Sequence, residues 1–148
     1  MRKSIVLTVI AILVFFSTFF IACSNMTPVE TVDTYIKAWG SKNANTVAGL
    51  ESENLWEFYY GQPTDREQRK EDVKNGFDMM RQQQTDTVRT NIEIELISQS
   101  DTSAVVQASY TIQRYQNGAE LESAFDVHKQ YTLIMSNGKW LISSTGSI

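Results

Sequence analysis

From Ile5 to Ile21 the chain is almost wholly apolar, broken only by Thr8, Ser17 and Thr18, and it turns polar at Ser24-Asn25. Beyond that run the apolar residues follow two rhythms. Val29, Val32, Ile36 and Trp39 lie three or four apart, one stripe of a helix. Thr27-Pro28-Val29-Glu30 supplies its start, with Thr27 as cap, Pro28 at the first helical position and Glu30 closing a capping box. Gly40 and Ser41-Lys42-Asn43 end it. A short second helix is predicted from Asn45 to Leu50 or Glu51. Leu55, Phe58 and Tyr59 suggest one more turn before Gly61-Gln62-Pro63 breaks the chain. Thr64-Asp65-Arg66-Glu67 repeats the capping-box pattern and opens a third helix to about Gln83, with Val73, Phe77 and Met80 on its stripe. The mixed charges from Asp65 to Asp72 read as a solvated face.

The period then changes to two. Ile92, Ile94 and Leu96 alternate with Glu93 and Glu95 in a half-buried strand, and Gln99-Ser100-Asp101 makes a turn. Ala104, Val106, Ala108, Tyr110 and Ile112 are the inward set of a second strand. Asn117-Gly118 is a hairpin signal. Phe125, Val127, Tyr131, Leu133 and Met135 line a long third strand. Asn137-Gly138 turns into a fourth, from which Trp140 and Ile142 face inward. Helices followed by a four-stranded antiparallel meander is an α+β layout, with the helices packed on one face of a curved sheet. Glu93/Glu95 and Glu120/Glu122 read as solvent faces of edge strands, where charge discourages edge-to-edge pairing.

Composition adds bounds rather than detail. The chain has 148 residues, 42% hydrophobic and 20% charged, with a formal net charge of −4. One domain is the default at that length. The acidic balance gives no electrostatic reason to hold a phosphate backbone, so nucleic acid is excluded as a partner. Cys23 is the one cysteine and His128 the one histidine, so no internal disulfide and no Cys/His zinc site can be assembled. No cofactor is implied.

Met1-Arg2-Lys3 followed by the apolar run and Ala22 has the parts of an export signal. Phe20-Ile21-Ala22-Cys23 resembles the bacterial lipobox, whose usual form is Leu, a small or aliphatic residue, Ala or Gly, then Cys. Ile21, Ala22 and Cys23 match, and Phe20 stands where Leu is commoner. The resemblance implies cleavage before Cys23, a diacylglyceryl group on its thiol and acyl chains of the palmitate kind. Two or more chains, at about 0.8 kcal/mol per buried CH₂, anchor stably where one does not. The expected organisation is therefore a signal peptide over 1–22, the lipidated cysteine and a short tether over 23–27, and a domain over 28–148. Loss of Arg2 and Lys3 takes the formal charge from −4 to −6. The alternatives are an uncleaved anchor, since the run is about as long as the shortest spanning helices, and an inert buried cysteine. Ser24 permits outer-membrane sorting in a two-membrane cell, but the reading does not need one.

The order of elements carries a further likeness. A leading Pro28 to Trp39 helix, a polar break, a second helix and a terminal meander ending Asn137-Gly138-Lys139-Trp140-Leu141-Ile142 resemble the NTF2-like (cystatin-like cone) superfamily. The small lipoproteins of the DUF4878 kind are the nearest in style. The likeness covers Pro28 to Ser143. Lys42-Asn43 stands where those proteins usually have Gly-Asp. What it implies is a conical half-barrel with a pocket between sheet and helices. It does not fix an activity, because relatives include isomerases, dehydratases and proteins that only bind or assemble.

Candidate chemistry is sparse. Lys129 interrupts the inward set between Val127 and Tyr131, so it points toward the concave face. It either lines a pocket and meets an anionic ligand, or reaches water or a helix carboxylate at the sheet margin. Tyr35 and Asp33 lie on the first helix. Tyr35 neighbours the Ile36/Trp39 stripe and either presents its hydroxyl to the pocket or is an ordinary core-edge residue. The isomerase relatives combine such a tyrosine with acids inside the cone, and the inward strand positions here hold none. Asp126 and His128 share the opposite strand face, where a solvated surface is the plain reading and an acid–base pair the sharper one. Trp56, Phe58, Tyr59 and Tyr60 form an aromatic cluster that closes the cone's open end or makes a contact patch.

The expectation is a lipid-anchored cell-envelope lipoprotein with a non-catalytic binding or interaction domain, extracytoplasmic and tethered through Cys23. Its pocket would be lined by Tyr35, Trp39, Lys129 and Tyr131, with a small ligand or an envelope protein as partner. The alternative is a pocket enzyme of the isomerase or dehydratase type using Tyr35 with Lys129 or His128. Pairing of two copies through the exposed sheet face is a third.

Overall fold

A computed structural model describes residues 26–62 and 64–148. The expected signal segment 1–22 and Cys23 lie outside the described residues. Helix α1 (Pro28–Gly40) begins as its sequence requires: the Thr27 side chain accepts from the Glu30 N–H at 3.2 Å, and Glu30 Oε2 accepts from the Thr27 N–H at 2.8 Å. Helix α2 (Ala44–Leu50) is capped by Asn43, α3 spans Glu53–Tyr60, and α4 (Arg66–Gln82) is capped by Asp65, one residue later than the capping-box reading placed it. The extra turn expected after Glu51 is thus a full helix, and the helical layer has four members among the described residues. Gly61 ends α3 with φ of 64°, a left-handed position natural to glycine.

The sheet runs β1 (Thr85–Gln99), β2 (Ser103–Gln116), β4 (Phe125–Ser136) and β5 (Lys139–Ser147), all antiparallel in that spatial order. A two-residue strand β3 (Ala119–Glu120) adds to β2 through the Asn117-Gly118 turn, so the four predicted strands carry a short fifth. Both Asn-Gly pairs have positive φ at each residue, the twist a tight hairpin needs. Strand β1 begins seven residues before Ile92, where the sequence reading opened it. Its pairing with β2 slips between Thr90 and Glu93, around Asn91 with φ of 52°. That bulge reverses the alternation, so Arg89, opposite Ile112, turns inward while Val88 faces out, 41% exposed. Leu96, expected inside, is 41% exposed near a second slip at Leu96/Ser98.

Helix α1 lies across β1, β2 and β5, while α2 and α4 pack on each other. The core between the layers holds Val32, Ile36, Val47, Leu55, Phe77, Val106, Leu133 and Ile142, all buried. Each such side chain contributes roughly 1.5–3 kcal/mol by leaving water. The layers are also stitched by backbone: Glu51 bridges Ile142, and the Ser52 N–H donates to the Ile142 carbonyl at 2.9 Å. No helix among the described residues is long and apolar enough to cross a membrane.

Candidate functional site

Tyr35, Trp39, Lys129 and Tyr131 line one cavity of about 230 Å³ between α1 and the concave sheet face, together with Ile36, Arg89, Tyr110 and Thr145. The helix and the strands place them by simple periodicity. Tyr35 and Trp39 are one turn apart on α1, their rings edge to face at 6.2 Å. Lys129 and Tyr131 are alternate residues of β4, opposite Ala108 and Val106 of β2. Tyr35 is no core-edge residue: it is buried, and its ring meets Tyr131 edge on at 6.2 Å. Trp39 packs its edge on Phe77 at 5.4 Å, so it closes one wall without filling the space.

Burial pushes the Tyr131 phenol well above its ordinary range. The neighbouring Tyr110, through charge and a hydrogen bond, and Tyr35 push the same way, while Arg89 pulls it down. Tyr131 therefore stays a neutral hydroxyl at any physiological pH. The two charged residues on the wall are both cations. No ion pair holds Arg89 or Lys129 among the described residues, and the Arg89 Nη1 atom is out of water with no hydrogen-bond partner.

A buried carboxylate does stand nearby, one that the sequence did not single out. Glu51 is wholly buried. Its Oε1 accepts from the Tyr35 hydroxyl at 2.8 Å and from Arg69 Nη2 at 2.8 Å. Its Oε2 accepts from Trp56 Nε1 at 2.8 Å and from Arg69 Nε at 2.6 Å. Four donors occupy both oxygens, and the guanidinium cancels the charge. Burial works against the charge on Arg69, but the hydrogen bond and charge of Glu51 outweigh it and raise its pKa. Arg69 also donates to the Tyr60 hydroxyl at 3.2 Å. So Arg69 is not part of a solvated face; it sits four residues before Val73 and extends the buried stripe of α4 inward. That spacing was the signal in the sequence. Trp56 is buried as the partner of Glu51, while Phe58 of the same aromatic cluster is 74% exposed.

The other candidates are scattered. Asp33 pairs with Lys37 at 2.7 Å on the outer side of α1. His128 is exposed on the convex sheet face, bordering a shallow groove with Glu93, Glu95 and Ser109. Asp126 accepts from the Thr111 hydroxyl at 2.8 Å. Neither residue reaches Tyr35, from which the sheet separates them, so the isomerase-style pairing of Tyr35 with His128 is not formed. Among the described residues no group of three or more His, Cys, Asp or Glu could hold a metal ion.

No protein-family model matches the sequence, and no curated protein is similar to it. Solved structures are similar in fold. The β subunit of benzoate 1,2-dioxygenase from Burkholderia mallei is 14% identical with a TM-score of 0.57, over 82% of this chain and 89% of that one. A ketosteroid isomerase-like protein from Erwinia carotovora is 14% identical with a TM-score of 0.53, over 78% and 87%. An uncharacterised cystatin-fold protein from Novosphingobium aromaticivorans is 17% identical with a TM-score of 0.50, over 84% and 99%. With its helices laid over a curved antiparallel sheet and these structures similar to it in fold, the chain has the NTF2-like cone fold.

Proposed function

We propose that the protein is a lipid-anchored envelope protein whose cone binds a small molecule without chemically changing it. The observation that supports binding is the cavity under α1: it is lined by Tyr35, Trp39, Lys129 and Tyr131, while the buried acid next to it is saturated. A general base needs a free lone pair and a pKa near the working pH. Glu51 has no free acceptor position, and the cavity wall itself carries no carboxylate or histidine. What supports the anchor is the sequence alone, the apolar run ending in Ile21-Ala22-Cys23. Envelope attachment through acyl chains suits an acidic domain, which anionic lipid would not attract.

Two measurements test this reading. Cys23→Ala should leave the chain at precursor mass and without label from a fatty-acid probe; normal processing and labelling would end the anchor. For the cone, the intact protein extracted from its host in mild detergent should carry a non-covalent small-molecule mass in native mass spectrometry. Thr145→Trp, at the half-buried rim, should remove that mass while the melting temperature holds. An empty wild type, or an adduct that survives Thr145→Trp, overturns the cavity as the binding site.

A further inference from the structure

The inference rests on the cavity being a ligand site and concerns what enters it. Its wall carries two cations, Arg89 from β1 and Lys129 from β4, and no carboxylate. The neighbouring acid, Glu51, cannot serve as counter-ion, because Arg69 neutralises it and four donors fill its oxygens. Arg89 runs beside Gly40 at the carboxyl end of α1, where the helix dipole favours positive charge. Yet its Nη1 is buried with nothing to donate to. A buried guanidinium hydrogen without an acceptor is costly, and native proteins rarely leave one so. Tyr110 and Tyr131 stand on the same wall, and burial keeps the Tyr131 phenol neutral.

We infer that the cavity takes a small organic carboxylate, its oxygens received by the Arg89 guanidinium and the Lys129 ammonium and its apolar part laid against Ile36 and Trp39. A planar guanidinium fork matches a carboxylate's two oxygens, and an ammonium adds a point charge from a second strand. Size limits the ligand: about 230 Å³ is below the roughly 300–1,000 Å³ of pockets for drug-sized molecules. Inorganic phosphate shares the oxyanion chemistry but has no apolar part to use the Ile36/Trp39 wall.

Benzoate, succinate, inorganic phosphate and neutral benzamide distinguish the cases, each titrated by calorimetry into the intact protein in detergent after ligand stripping. Saturable binding of benzoate or succinate, at least about tenfold tighter than benzamide or phosphate, is expected. Arg89→Met and Lys129→Met should each weaken it by about tenfold or more. Thr145→Trp should abolish it, with Lys139→Met, on the turn at the far end of β5, as an unaffected control. Phosphate binding more tightly than either carboxylate would replace the organic ligand by a free oxyanion and overturn the inference. Equal binding of benzamide, unchanged in Arg89→Met and Lys129→Met, would leave the cavity a binding site and refute its charge preference. Failure of every probe on the wild type also refutes it, whereas a native adduct lost in Thr145→Trp would still uphold the binding reading.

Discussion

Arg69 and Glu51, 18 residues apart in sequence, meet as a two-pronged ion pair, with Nε and Nη2 at 2.6 and 2.8 Å from the two carboxylate oxygens. The Glu51 side chain is 0% exposed and that of Arg69 12%. Removing the cation leaves a buried charge uncompensated, which typically costs about 3–5 kcal/mol. Arg69→Met should lower stability by about that much in urea denaturation. The double variant Glu51→Met/Arg69→Met should recover most of the loss, because replacing both members of a buried pair by apolar groups is often neutral. Additive losses in the cycle would show that the two residues do not act as a pair.

Tyr131 predicts an alkaline limit. Its folded pKa lies above the unfolded value of 10.0, so the folded state holds the phenolic proton more tightly. The corresponding stability is fully present below pH 10 and falls as the pH rises past it, while the unfolded tyrosine ionises and the folded one does not. The urea midpoint should therefore decline between about pH 10 and 11.5, and Tyr131→Phe should flatten that decline. An equally steep slope in Tyr131→Phe would assign it to other groups, Tyr60 first, whose pKa burial also raises.

Thr27→Ala removes one half of the α1 capping box. The Glu30 N–H then loses its acceptor, at a cost of about 1 kcal/mol. Thr27→Asn should restore most of the loss, and thermal melts of both variants decide the matter.

Asn91 occupies a left-handed position that costs an ordinary side chain about 1–2 kcal/mol. Asn91→Gly should be neutral or mildly stabilising and Asn91→Val destabilising by that amount. A destabilising glycine would mean that the Asn91 Nδ2 hydrogen bond to the Thr111 hydroxyl, 3.3 Å, matters more than the backbone.

What could be read from the sequence was whatever is local. Thr27 and Glu30, Val73 and Phe77, and the two Asn-Gly turns each specify their element within a few residues, and the structure has them so. Alternation along β4 placed Lys129 and Tyr131 on one face, and helical spacing placed Tyr35 and Trp39 together. Arg89 escaped because alternation counted back from Ile92 puts Thr90 and Val88 inside. One added residue at Asn91 inverts that count, and nothing in a single sequence announces a bulge. Glu51 escaped for a different reason. A carboxylate at the end of a short helix looks like surface until the guanidinium that cancels it is known. Arg69 was hidden among the charges of Asp65 to Asp72, although its spacing from Val73 marked it.

The stitch between Ser52 and Ile142 has a consequence for self-association. A sheet of this kind has two borders on which another chain's backbone can template itself. Along β5, the Glu51-Ser52 segment already takes up the hydrogen-bonding groups at Ile142. Along β1, slips at Thr90/Glu93 and Leu96/Ser98 break the straight run that a fibril needs. Both borders are thus interrupted as docking rails, β5 at Ile142 and β1 at its two slips. That protection against ordered aggregation is built into the fold itself.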